Sequence, residues 1–142
     1  DADLCGADLR GTNLHGADLR DADLCGADLR GAKNAKLALA MCTFLPSGSI
    51  HGWKKCRDGV LVHLLIPEDA KRSHGASRKC RAERALVLEV IGSDVGVSQH
   101  DSGFEYRVGA CVESREPFCE DRWDECASGI HFFITREEAE AY

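Results

Sequence analysis

The chain has 142 residues and a formal net charge of −6, with a pI of about 5.5, a length that suits one domain or two small units. Hydrophobic residues make up 44% and charged residues 30%, the balance of an ordinary globular protein. The acid excess excludes bulk attraction to nucleic acid or an anionic membrane, leaving only local basic patches, and no run of eighteen apolar residues offers a membrane span.

The first element is a repeat. Residues 1–10 read DADLCGADLR, residues 21–30 repeat them letter for letter, and GTNLHGADLR lies between. Leucine recurs every fifth residue, at Leu4, Leu9, Leu14, Leu19, Leu24 and Leu29. Two residues before it stand Ala2, Ala7, Thr12, Ala17, Ala22 and Ala27, and one before it Asp3, Asp8, Asn13, Asp18, Asp23 and Asp28. A period of five fits neither a helix nor a strand, so the segment reads as a solenoid with leucine turned inward.

These residues, over 2–31 and with only Thr12 off pattern, resemble the pentapeptide-repeat family, A-[DN]-L-x-x. The resemblance implies a right-handed quadrilateral β-helix with four pentads, or twenty residues, per coil. Cys5 would then stack on Cys25 and Arg10 on Arg30, one strand spacing apart. A stacked Cys5–Cys25 pair would lie near disulfide or metal range, against the plainer reading of two thiols copied by duplication. Some members of the family imitate duplex DNA with an acidic face. Here seven aspartates in residues 1–40 are offset by Arg10, Arg20, Arg30, Lys33 and Lys36, which favours a solvated face. About one and a half coils are visible, whereas solenoids generally need three or more units. A chain that opens on Asp1 inside a repeat therefore reads as the C-terminal piece of a longer protein. Lys33-Asn34 breaks the leucine slot, giving a repeat over 1–36, a cap or linker over 37–49 and a small α+β domain over 50–142.

Within the last unit, 50–57 reads as a strand, Arg57-Asp58-Gly59 as a hairpin turn, and 60–66 as a buried strand ended by Pro67. Residues 67–81 are polar and loop-like. Strands are expected at 85–91, 104–108 and 129–134, with a short helical turn at 120–126. Thr135-Arg136-Glu137-Glu138 is a capping box that starts a final helix. The expectation is a β-rich chain whose second unit carries about five strands.

Several segments of that unit, LLIPEDAKRS, SRKCRAERALVLEV and WDECASGIHFFITREEAEAY, are similar to a domain of unknown function found behind pentapeptide repeats in phage and prophage proteins, matching from about Trp53 to Tyr142. The resemblance implies a bacterial host and its cytoplasm. Eight cysteines at irregular spacing, without a CxxC pair, agree with reduced thiols.

Three constellations carry chemistry. Cys111, Cys119, Cys126 and His131 are of the right types for zinc, but C-x7-C-x6-C-x4-H lacks the tight knuckle of structural sites. The plainer reading makes Cys126 a small hydrophobe and places His131 on a strand face. A Cys126–His131 nucleophile pair is the catalytic version. Lys71, Arg72, Arg78, Lys79, Arg81 and Arg84 fall within fourteen residues opposed only by Glu83. Lys71, Arg72, Arg78, Lys79 and Arg81 are the candidate phosphate or ligand grip. The end GIHFFITREEAEAY resembles the G-[IL]-Y-F…A-x-x-Y stretch of ADP-ribosyltransferase-like folds, departing at His131 where tyrosine is usual. No catalytic set converges and no cofactor motif stands out. The reading is a non-catalytic interaction module in which a rigid β-helix presents a domain that binds a host bacterial protein or a phosphate-bearing ligand. The alternatives are an ADP-ribosyltransferase-like or zinc-dependent enzyme, and a structural virion component that forms a homo-oligomer.

Overall fold

The computed structural model describes residues 2–19, 24, 26–36, 40, 45–75, 77–122, 124 and 126–142. In the repeat, residues twenty apart pair in parallel: Asp8 with Asp28 and Asn13 with Lys33. The amides of Leu9, Gly11 and Leu14 donate to the carbonyls of Asp28, Arg30 and Lys33, each at 2.9 Å. The duplicated ten-residue word is thus a consequence of twenty residues per turn, which sets equivalent positions above one another. Cys25 lies outside the described residues, and with it the expected Cys5–Cys25 stack.

Five pentads are closed locally. The carbonyls of Leu4, Leu9, Leu14, Leu24 and Leu29 accept from the amide three residues on, at 3.0–3.2 Å. Such a turn needs a positive φ at its third position, and Gly26 supplies it with φ +68°. The Asp/Asn before four of these leucines braces the same corner: Asp3, Asp8, Asn13 and Asp28 each accept from the amide two residues later, at 3.0–3.1 Å. These are Asx turns, so the acidic side chains are spent on corners. Asp8 and Asp28 are also ion-paired with Arg10 and Arg30, and Arg10 holds the Asp8 carboxyl down at about 2. Leu19, Leu24, Ala27 and Leu29 form the buried core, with Leu4, Leu9, Leu14 and Ala32 partly buried against it. At the end of the pattern Asn34 occupies the leucine slot in a left-handed conformation, φ 58°, and donates to Asn13 Oδ1 at 2.8 Å. Lys33 keeps the coil pairing and Ala35 is the residue buried next. Of the expected cap or linker over 37–49, residues 37–39 and 41–44 lie outside the described residues.

The C-terminal unit begins with β1 (Ile50–Lys55) and β2 (Leu61–Ile66), an antiparallel hairpin whose connection, Arg57–Gly59, holds Asp58 at φ 57°. Next come β3 (Arg72–His74), β4 (Cys80–Ala82) and β5 (Arg84–Ile91). Two short ribbon strands follow, β6 (Gly96–Val97) and β7 (Glu105–Tyr106), then β8 (Cys111–Glu113) and β9 (Ile130–Phe132). Helix α1 (Arg136–Ala141) closes the unit. The four-stranded sheet runs β1-β2-β5-β8 and a three-stranded sheet β3-β4-β9.

The two sheets join into a circuit. Strand β5 continues β4 past Glu83, whose amide donates to Lys71 and whose carbonyl accepts from Ser114, both at 2.8 Å. Strand β4 pairs with β9, and Trp53 and Phe133 exchange two backbone bonds of 2.7 Å that tie the end of β9 to β1. Inside lie Val62, Leu64, Ile66, Cys80, Ala82, Ala85, Val87 and Phe132, all 0–1% exposed. Each large apolar side chain so buried contributes about 1.5–3 kcal/mol. Gly52 is bare because a Cβ there would stand 2.5 Å from the Phe132 ring.

The hairpin, the strand at 85–91 and the capping box stand where the sequence puts them, and the strand expected over 129–134 is present over Ile130–Phe132: Thr135 Oγ1 accepts from the Glu138 amide at 3.2 Å, and Glu138 from the Thr135 amide at 3.0 Å. Four other expectations change. Residues 67–81 are not all loop, since they hold β3 and the start of β4. The strand expected over 104–108 shrinks to Glu105–Tyr106. The described residues of 120–126 form turns, with Asp124 N–H on Asp121 O at 3.3 Å, and not a helix. About five strands were expected and nine are present among the described residues.

Candidate functional site

A cavity of about 480 Å³ is built by residues far apart in sequence: Lys54 on β1, Lys79 before β4, Tyr106 on β7, Arg115 after β8, His131 on β9 and Tyr142 after α1. Lys54 reaches it through strand alternation. Ile50, Gly52 and Lys54 are the inward residues of β1, while His51 is exposed on the other face. A lysine thereby occupies a core position and is 9% exposed.

Its Nζ donates to the His131 carbonyl at 3.3 Å and stands 5.7 Å from the Tyr106 ring centre. Among the described residues no carboxylate pairs with it. Burial pushes its pKa down, and the Lys79 charge pushes the same way. Burial also raises the Cys56 thiol to about 11 and raises the Tyr106 hydroxyl, so both stay protonated at neutral pH. Lys79 donates to the Tyr142 hydroxyl at 3.0 Å. Arg115 is committed to Asp101 at 2.8 Å and to the Gly103 carbonyl at 2.6 Å. Among the described residues the cavity wall therefore carries two ammonium groups without a carboxylate partner, beside aromatic side chains, the Asp101–Arg115 pair and Glu116.

His131 and Cys126 also line this cavity. The His131 Nε2 lies 3.2 Å from the Ala127 carbonyl, which can only accept, so Nε2 carries the proton and Nδ1 is the basic nitrogen. Burial, with Lys79 and Lys54 beside it, lowers the His131 pKa to about 4, and the ring is neutral at pH 7. The zinc set does not assemble. Among the described residues no group of three or more His, Cys, Asp or Glu could hold a metal ion, because Cys111 lies exposed on β8 while Cys126 and His131 face the cavity. The six described cysteines are free thiols.

The basic loop disperses as well. Arg81, 2% exposed, turns inward on β4 and donates to the carbonyls of Cys119, Ser128 and Asp121 at 3.0, 2.9 and 2.7 Å. It is a staple for the segment that leads into β9. Arg72 donates to Gly48 and Pro46 carbonyls at 2.6 and 3.0 Å. Lys71 pairs with Glu120 and Arg78 with Glu138. Of the five, Lys79 lines the cavity of about 480 Å³, while Lys71 and Arg72 line a separate one of about 310 Å³, so the fold divides the cluster between two places. Lys54, which takes its place, was legible only as a lysine at an inward register position of β1.

Residues 1–33 match pentapeptide repeats (8 copies), and residues 41–139 match a family of unknown function, DUF5758. No curated protein and no solved structure matches the chain. No helix among the described residues is long and apolar enough to cross a membrane. With most of its length matched, the chain belongs to the family of unknown function DUF5758, and pentapeptide repeats precede that domain.

Proposed function

We propose that the C-terminal domain is a non-catalytic binding module for a small phosphate- or carboxylate-bearing molecule. The pentapeptide repeats form a right-handed quadrilateral β-helix that serves as its rigid spacer, in a phage or prophage protein acting in a bacterial host. The observation that carries the ligand reading is Lys54, a buried ammonium without a carboxylate partner in the wall of a cavity that also holds Lys79. An unpaired buried charge is costly, and an anion entering the cavity removes that cost. The aromatic walls favour a ligand with a flat or apolar body beside its acid group.

Titration with inorganic phosphate, followed by thermal unfolding and calorimetry, tests this. Phosphate should raise the melting temperature of the full chain and leave that of the Lys54→Met/Lys79→Met variant unchanged. Loss of the response in Lys71→Ala/Arg72→Ala/Arg78→Ala instead would return the site to the basic loop.

A second reading, an enzyme with Cys126 as nucleophile and His131 as base, is favoured by their sharing one cavity. Under it, iodoacetamide should alkylate Cys126 faster than Cys111, which is also exposed. Equal rates would remove it.

A further inference from the structure

We propose that Lys54 captures its ligand covalently and reversibly, its amine condensing with the carbonyl of a small aldehyde or keto acid that Lys79 holds by its acid group. This rests on the reading of the cavity as an anion site and names the ligand class for it. Four features of the place support it. The Nζ lies at the wall of a cavity of about 480 Å³, large enough for a small organic acid. Among the described residues its hydrogen bond goes to the His131 carbonyl, which engages one N–H and, in the fraction of the chain whose ammonium has lost a proton, leaves the lone pair available. Of the ionisable groups that act on it, Lys79 opposes its charge and Cys56 favours it, but the Cys56 thiol is kept protonated at neutral pH; of the carboxylates that line the cavity, Asp101 is paired with Arg115, and among the described residues Glu116 makes no ion pair with Lys54. The backbone beneath it is a paired strand, held to β2 and β9, so the amine is kept in place.

A lysine desolvated beside a second cation is an activated amine nucleophile. The direction in which burial and Lys79 move Lys54 agrees with that role. In the reaction the amine nitrogen forms a bond to the carbonyl carbon and gives up its two hydrogens, the carbonyl oxygen leaves with them as water, and a C=N bond remains. No oxidant or reductant is consumed, and added water reverses the step. The Cys56 thiol, kept protonated by burial, does not compete as a thiolate.

The test treats the full chain with glyoxylate and sodium cyanoborohydride at neutral pH, the hydride fixing the imine as a carboxymethyl amine that peptide mapping locates. Glycolate, the same size of anion without the aldehyde, is the control for binding. Lys54 should be labelled in clear preference to its exposed-side neighbour Lys55, because a lowered pKa leaves more of its amine free. The Lys54→Arg variant should lose this adduct while its melting temperature stays near that of the parent. Labelling spread over Lys33, Lys36, Lys55, Lys71 and Lys79 without preference for Lys54 overturns the inference. If glycolate then still raises the melting temperature, only covalent capture fails and the anion site stands. If neither acid is bound or captured, both fall.

Discussion

The repeat and the C-terminal domain solve the same problem, pairing every buried backbone group, at two different ranges. In the repeat the partners are three residues away at the corners and twenty along the stack. Asp, Asn and Gly at set places in most of the pentads do the bracing. In the C-terminal domain Cys80 pairs with Phe132 and Trp53 with Phe133, and the interior is one cluster drawn from most of its strands. Charge follows the same division. Arg10 and Arg30 lie on the surface against aspartates of their own coil face, whereas Arg81 is buried on carbonyls about forty residues on. Local bracing spreads stability along the chain; long-range bracing concentrates it in a few side chains.

The contrast can be broken at a single core residue. Phe132→Ala should cost about 3–5 kcal/mol, since it empties the space over Gly52 at the closure of the strand circuit. Urea unfolding should show the loss, and hydrogen exchange should place it across β1, β4 and β9 together. Damage confined to β9 would mean the circuit is not cooperative.

A smaller effect is expected in the repeat. Gly26→Ala forces a side chain into φ +68°, where the new Cβ meets no atom closer than 3.8 Å. The cost is therefore backbone strain alone, about 1–2 kcal/mol. Exchange protection should fall in residues 24–33 and their partners one coil away, and not in the C-terminal domain. Equal loss in both units would show that local bracing does not isolate the coil.

The smallest effect sharpens the electrostatic side. His131 has its pKa lowered from 6.5 to about 4 in the folded chain, so on acidification the unfolded chain takes up this proton first. Its contribution to stability is present above pH 6.5 and is lost as the pH falls toward 4. With allowance for partial exposure, the loss is about 1 kcal/mol. The carboxylates titrate in the same range, so the measurement is the difference in pH dependence between the parent chain and His131→Asn. A difference that stays flat from pH 7 to 4 would remove His131 from the buried electrostatics.

Lys54 and Arg81 show how legibility divides. Arg81 sits in a run of cations that composition marks as a binding loop, and it is instead a buried staple. Its three carbonyl acceptors, at 119, 121 and 128, are brought to it by the β4–β9 pairing. Lys54 lies beside Lys55 in a plain strand, and the only sign of it was its place in the inward register. Strands β3 and β4 were missed for a related reason: Arg72–His74 is a polar edge of three residues, and β4 buries an arginine. Neither carries an apolar alternation to read.

By itself the sequence determined the coil, because a period of five with a turn residue and a corner acceptor in nearly every pentad acts over three residues and repeats at twenty. It also determined the β1–β2 hairpin and the helix cap, whose signals are equally short in range. Only the tertiary structure decided which cations are buried, which are paired and which face a cavity. Those outcomes depend on strands far apart in the chain closing into one circuit, and desolvation and pairing act on whatever that closure brings together.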